Sequence, residues 1–376
     1  MRPRPDRAAA LHGDAPLPGI AESTVAYETW LGHQVAVRRA DLKIKHERMS
    51  ATPLAFLRGT FYRFMQRWPA LAGDLDGMPV VPSVGDIHLE NFGTWRDAAG
   101  RLVWGVNDFD EAAALPYALD LVRLGVSAWL SVEAGDLSLP AHAAATAVLT
   151  GYRDGLRAGG RPFVLEAEHA WLRRLVTAER RAEVFWANLE ALPRLKVPVP
   201  RPAATLLRAA LPSGGRVWFA HRVVGLGSLG RARLLACTEW QGGPLAMEAK
   251  ALVPSAAAWM TGLKAARSSA QEVLAGCVRS PDPSVSFRQG FALRRLSPSA
   301  QRLDLSDLSG RRDERQMLRA MGQEIANVHL GAPQQVRAIL HDLQKRTDPW
   351  FAERMEQGAR QVNADLHDWR AALPRH

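Results

Sequence analysis

The chain has 376 residues, with 48 Lys and Arg against 38 Asp and Glu, for a formal net charge of +10. That length exceeds one small core, and 47% hydrophobic with 23% charged residues is a globular composition that excludes a mostly disordered chain. The basic excess favours an anionic partner, but the arginines are scattered among acids, as in Arg173, Arg174, Glu179, Arg180, Arg181 and Glu183, so the charge reads as background rather than a nucleic-acid surface.

Residues 1–21 read as a mobile arm, broken by Pro3, Pro5, Pro16 and Pro18, and residues 1–16 hold no apolar stretch of a secretory signal. A helical pattern follows over about 22–49. Residues 53–68 place Leu54, Leu57, Phe61, Phe64, Met65 and Trp68 on one helical face, with Pro53 suited to the first turn. Val80 to Val84 reads as a short strand. After GDIHLENFG comes a hairpin whose second strand sets Leu102, Trp104, Val106 and Asp108 on one face. The most apolar stretch, 117–132, is interrupted by Asp120 and Arg123, which predicts a buried helix rather than a membrane span.

Helices at about 140–158 and 166–191, a proline-rich boundary at Pro193 to Pro202 and a further helix lead to a β-rich segment. Its strands are expected at 216–224, 231–240 and 245–252. A helix at 255–275, a strand pair at 285–296 and two or three helices follow. Cys237 and Cys277 cannot make a disulfide framework, so a reducing cytoplasm is the expected compartment, with no membrane partner.

Two constellations carry chemistry. In the first, Asp86 and Asn91 have the D-x-x-x-x-N spacing of a kinase-type catalytic loop, where Asp meets the acceptor hydroxyl and Asn holds a metal. Asp108 opens a D-F-D run after a strand, where kinases place the carboxylate that binds Mg2+. Asp, Asn and Gly also make ordinary turns, and it is the order of the two motifs around a hairpin that points to a site. His88 supports the loop or, with Asp86, Asp108 and Asp110, would ligate the metal of a phosphohydrolase. Asp110 and Glu111 stand beside the metal carboxylate or cap the next turn. Asp120, a single acid on an apolar helix, needs donors and reads as support for the catalytic loop.

In the second, Gly225, Gly227 and Gly230, with Ser228 between them, form G-x-G-x-x-G. A strand rather than a helix follows, which favours a kinase flap over a dinucleotide fold. The return strand carries Lys250, one of six lysines, where kinases hold the α- and β-phosphates, although a strand-end lysine also reaches solvent readily. Glu272, on the helix after it, is either the partner of Lys250 or a solvated residue. Phe291–Leu296 is the candidate hinge strand against adenine, where Arg294 and Arg295 find no role.

PLAFLRGTFYRFM, GDIHLENFG, NDFDEAAALPYALDLVRL and VVGLGSLG with EAK together resemble a bacterial domain-of-unknown-function family, number 2252, over about residues 40–345. The local motifs are similar to those of aminoglycoside and choline phosphotransferases. The resemblance implies an α+β, protein-kinase-like bilobed fold. Its catalytic segment precedes its glycine loop, which implies circular permutation. The expected units are the arm at 1–21, a helical lobe at 22–210, a β-rich nucleotide lobe at 211–300, and helices at 301–376 completing the helical lobe. Residues 316–330 or 53–68 would be the helix leading into the catalytic loop, and His329 resembles the histidine at that helix end. Val84 stands where phosphotransferases have a histidine, so the loop needs other support. The expected activity is ATP- and Mg2+-dependent phosphoryl transfer to an unknown acceptor hydroxyl. Nucleotidyl transfer (AMPylation) and a nucleotide-binding pseudokinase module are the alternatives.

Overall fold

Helix breaks set the path of the first third of the chain. The computed structural model describes residues 17–73, 77–166, 168–176, 182–196, 199, 201–261, 270–300, 305, 308, 310–346 and 349–373. The helix expected at 22–49 is two, α1 (Ile20–Gln34) and α2 (Arg39–Met49). The one expected at 53–68 divides into α3 (Pro53–Gly59) and α4 (Phe61–Ala72), because Thr60 leaves helical space at φ −129°, ψ 42°. Thr52 caps α3, its hydroxyl accepting from the Ala55 N–H at 3.1 Å. Most of the expected arm, residues 1–16, lies outside the described residues, and its end is already structured: Ile20 opens α1 at 2% exposure.

Strands β1 (Val80–Ser83), β2 (Phe92–Arg96), β3 (Leu102–Val106) and β4 (Ala113–Pro116) follow. β1 pairs antiparallel with β4, while β2 and β3 form the hairpin, with β5 (Phe163–Val164) on the other edge of β3. This pairing brings the segments 84–91 and 107–112 out side by side. α5 (Tyr117–Glu133) starts where β4 ends, and α6 (Ala141–Ala158) turns back along it. Within the helix expected at 166–191 lie α7 (Ala170–Val176) and α8 (Ala182–Glu190), with residues 167 and 177–181 outside the described residues, and α9 (Arg201–Ala209) comes after them.

The second sheet holds β6 (Trp218–His221), β7 (Arg233–Trp240), β8 (Gly243–Ala251), β9 (Ser286–Arg288) and β10 (Phe291–Leu296), in the order β6-β7-β8-β10-β9, all antiparallel. Helices α10 (Ala256–Thr261) and α11 (Ala270–Gly276) lie between β8 and β9; residues 262–269 of the single helix expected there are outside the described residues. α12 (Arg311–His329), α13 (Val336–Lys345) and α14 (Trp350–Ala372) complete a mixed α+β architecture. Among the described residues no helix is long and apolar enough to cross a membrane.

One large core is built around α5, which is apolar on nearly every side and is covered by α6 and by α14. α12 packs along α6. Asp365 of α14 is 3% exposed and accepts from Arg63 of α4 at 2.9 and 3.0 Å and from Arg67 at 2.7 Å, which ties the C-terminal helix to the N-terminal ones.

Apolar residues lie on both faces of the five-stranded sheet, so each face needs a cover over them. Leu234, Ala236 and Met247 pack under Leu207 of α9, and Leu235, Cys237 and Ala246 pack under Leu189 of α8. α8 and α9 therefore pack on the sheet. Conversely α10 and α11 join the large core through Ala256, Ala257, Ala270 and Val273.

Two buried charges bear on stability. Lys45 of α2 is 2% exposed, with Nζ 6.0 Å from the Tyr27 ring centre and 5.9 Å from that of Tyr62. Burial pushes its pKa down from 10.5 to about 8. Glu324 of α12 is 2% exposed and accepts from the Val106 N–H of β3 at 3.2 Å and from Asn327 Nδ2 at 2.8 Å. Burial raises its pKa from 4.5 to about 7.

The signs are opposite. Between pH 8 and 10.5 the unfolded chain holds a proton on Lys45 that the folded one has lost, so stability rises with pH there. Between pH 4.5 and 7 the folded chain holds the extra proton on Glu324, so stability falls as pH rises. Chemical denaturation should show Lys45→Met more stable than wild type by about 3 kcal/mol at pH 7, an advantage that shrinks through pH 8 to 10. Glu324→Gln should gain about 3 kcal/mol on wild type between pH 5 and pH 8, whatever constant offset the amide introduces.

Candidate functional site

The site begins with a polar stripe on α5. Asp120, Arg123 and Ser127 lie three and four residues apart, hence on one face, and each is 0% exposed. All three reach the segment 84–91. Asp120 accepts from the Val84 N–H at 2.7 Å and the Gly85 N–H at 2.9 Å, and His329 Nε2 of α12 stands 3.3 Å from the same carboxylate. Tyr152 of α6 meets His329 Nδ1 at 2.8 Å. Ser127 Oγ accepts from the Leu89 N–H at 3.1 Å. The support that Val84 cannot give thus comes from Asp120 and His329.

Arg123 turns to Asp86. Its Nε donates to Asp86 Oδ1 at 3.0 Å, and Nη2 makes a closer contact to the same oxygen while donating to the Leu57 carbonyl at 2.8 Å. The guanidinium lies 4.9 and 4.8 Å from the ring centres of Phe61 and Phe64, which gives its buried Nη1 a π-face where no hydrogen bond is made. Burial raises the Asp86 pKa, and Arg123 opposes that rise. Gly85 adopts φ +80°, and a Cβ there would stand 2.3 Å from the Glu111 carbonyl oxygen, so only glycine lets the two segments meet.

Asn91 staples them. Its Nδ2 donates to the Asp86 carbonyl at 3.1 Å and the Asp108 carbonyl at 3.3 Å, which leaves the amide oxygen as a hard donor on a residue that lines the smaller cavity with Asp108. Asp108 accepts from Lys250 Nζ of β8 at 3.0 and 3.2 Å, and Asp110 contacts the same ammonium. Burial works against the charge on Asp108, but Lys250 and Arg233 outweigh it and hold this carboxyl below its usual range. Burial and the neighbouring Asp108 charge push Asp110 upward. Glu111 accepts from Arg231 at 2.8 Å and from the Ala256 N–H at the start of α10 at 2.6 Å.

The glycine turn lies across this cluster. A Cβ at Gly227 would stand 3.1 Å from both Asp86 Oδ2 and the Arg58 carbonyl, so the turn rests on the carboxylate itself. Ser228 Oγ accepts from Arg233 Nη2 at 2.8 Å. Gly230 faces Leu42 of α2, and its carbonyl accepts from the Arg38 N–H at 2.9 Å, away from the cluster.

Two cavities meet here. The smaller, about 40 Å³, is lined by Asp86, His88, Asn91, Gly225, Gly227 and Ser228 among others. The larger, about 530 Å³, has apolar walls from Trp95, Phe109, Leu274, Val285 and Phe287, with Lys250 at its charged end. Asp108 and Asp110 line both. The candidate hinge strand contributes Ala292, Leu293 and Arg294 to the larger one.

Glu272 does not join the site. On α11 it is Gln271, Leu274 and Ala275 that face the larger cavity, while Glu272 is exposed, and the carboxylates on Lys250 are Asp108 and Asp110. Among the described residues no three His, Cys, Asp or Glu side chains form a metal-holding group, while His88, Asp86, Asp108 and Asp110 line the smaller cavity together.

Sequence reasoning missed Arg123 as the partner of Asp86, Arg231 as the partner of Glu111, and Glu248, which is 1% exposed. The only available signal was the three- and four-residue spacing of polar groups on α5.

No curated protein and no solved structure matches the chain. Residues 38–187, a shorter span than the expected 40–345, match the family described as an uncharacterized protein conserved in bacteria (DUF2252); this span contains Asp86, Asn91, Asp108, Asp120 and Arg123 but neither the glycine turn nor Lys250.

Proposed function

We propose that the protein is an ATP- and Mg2+-dependent transferase of kinase-like, circularly permuted fold that moves a phosphoryl group to the hydroxyl of a small molecule or protein. The observation that carries this reading is the junction of the two cavities at Asp108 and Asp110. The larger has the volume and apolar walls for a nucleoside, and the smaller has room for little more than one group on Asp86. A nucleotide with its base in the larger cavity sends its phosphates past Lys250 toward Asp86. That direction favours phosphoryl over nucleotidyl transfer.

The hard oxygen donors of Asn91 and Asp108 fit Mg2+, which commonly takes one or two protein ligands and completes its shell with phosphate and water. Held by these two residues, the ion would supply positive charge that draws negative charge from the nucleotide's phosphates. Asp86, its Oδ1 fixed by Arg123, orients an acceptor hydroxyl through Oδ2 and takes its proton; its raised pKa suits a proton acceptor. Permutation is supported by α12, which ends with His329 against Asp120 beside the loop, although it follows that loop in the chain by most of its length. The closeness of Gly227 to Asp86 favours, as second reading, a nucleotide-binding module without turnover.

With γ-labelled ATP and Mg2+, Asp108→Ala should lower Mg2+-dependent ATP consumption by about 10²-fold or more at unchanged fold, read by circular dichroism. An unaltered rate refutes the assignment. Nucleotide-dependent stabilisation of wild type with no product in any acceptor screen selects the second reading.

A further inference from the structure

The sheet face that carries Lys250 is crowded with cations. Arg233 pairs across from Lys250 and Arg294 across from Glu248, so strand alternation sets all four on one face. Arg222, just beyond β6, joins them. Glu248 Oε1 accepts from Arg233 Nη1 at 3.2 Å and Arg294 Nε at 3.1 Å, while Oε2 takes a closer contact from Arg222. One buried carboxylate therefore gathers three guanidiniums, and although burial works against its charge, these arginines hold it well below the usual carboxylate range.

Glu248 neutralises one of the three. Asp108 and Asp110 bring two negative charges to the one of Lys250, so one positive charge of the whole group remains for an anion to share. Lys250 offers no relief, because Asp108 and Asp110 already engage it. Arg294 is the most open of the set, 34% exposed, and lines the larger cavity with Lys250. Only its Nε is used on Glu248, which leaves both Nη groups as donors. Arg233 reaches the glycine turn through Ser228. The cations thus run from the larger cavity to the smaller, along the path a chain of phosphates would take, and a guanidinium fork matches phosphate oxygens well.

We propose that Arg294 is a polyphosphate-binding residue, positioned by the buried Glu248, and that this arginine wall makes the site select nucleoside di- and triphosphates over the bare nucleoside. The inference rests on the nucleotide reading of the larger cavity, but inorganic tripolyphosphate separates the two.

Calorimetric titration of wild type and Arg294→Gln with ATP, adenosine and tripolyphosphate tests it. The variant should bind ATP and tripolyphosphate at least tenfold more weakly and adenosine equally well. Unchanged ATP and tripolyphosphate affinity, or an equal loss for adenosine, overturns it. Wild type that binds tripolyphosphate in an Arg294-dependent way but no nucleotide keeps the wall and removes the nucleotide reading; wild type that binds neither removes the wall as well. Should Arg294→Gln not fold, Arg294→Lys keeps the charge without the fork and should weaken tripolyphosphate several-fold with adenosine unmoved; unchanged tripolyphosphate binding again overturns the proposal.

Discussion

A fully buried carboxylate organises this molecule. Asp120 has no access to water, so its charge must be met by the protein, and the donors that meet it are the amides of Val84 and Gly85 with the imidazole of His329. Each charge-assisted bond of this kind is worth about 1.5–3 kcal/mol, and leaving the carboxylate unmet would cost several. The backbone ahead of Asp86 is therefore fixed in space by a helix, and the end of α12 is fixed with it. Arg123 and Ser127 extend the same logic along α5: the first sets the direction of the Asp86 carboxylate, the second holds the Leu89 amide. An apolar helix with three polar residues on one face acts as the rail on which the loop rides.

Charge pairing continues outward from that rail. Lys250 is shared between Asp108 and Asp110, Arg231 lies between Asp110 and Glu111, and three arginines converge on Glu248. The first two groups join the loop 107–112 to the five-stranded sheet and the segment leading into β7, while apolar residues of the sheet pack on α8 and α9. These links between the sheet and that loop are ionic and hydrogen-bonded. Such contacts are directional, which places the glycine turn on Asp86 rather than merely near it.

Much of the fold was legible because apolar periodicity is local. The strands at 80–83, 233–240 and 291–296 and the helix at 117–133 fall within a few residues of their expected places. The single helix expected at 53–68 failed because an unbroken apolar face does not report the turn at Thr60. The covers of the five-stranded sheet were not legible, because α8 and α9 precede it in the chain and periodicity does not say which element a helix packs on. Within the site, Asp120 was readable as loop support, since one acid on an apolar helix demands donors. Glu272 was left between two readings, because its distance along the chain from Lys250 says nothing of which side of α11 it occupies. Arg123 and Glu248 were hidden for the converse reason, because their meaning lies in partners far away in sequence.

The covering of α5 by α14 has a consequence for how the chain is made. α5 leaves the ribosome with its apolar surface complete, but α14, which closes one side of it and is tied to α4 through Asp365, follows only after the five-stranded sheet and α12 have been made. At about 5–20 residues per second that interval is on the order of tens of seconds. During it the nascent chain presents one of its most apolar helices without this cover, a surface of the kind holdase chaperones bind, and that side of the large core closes only when α14 docks.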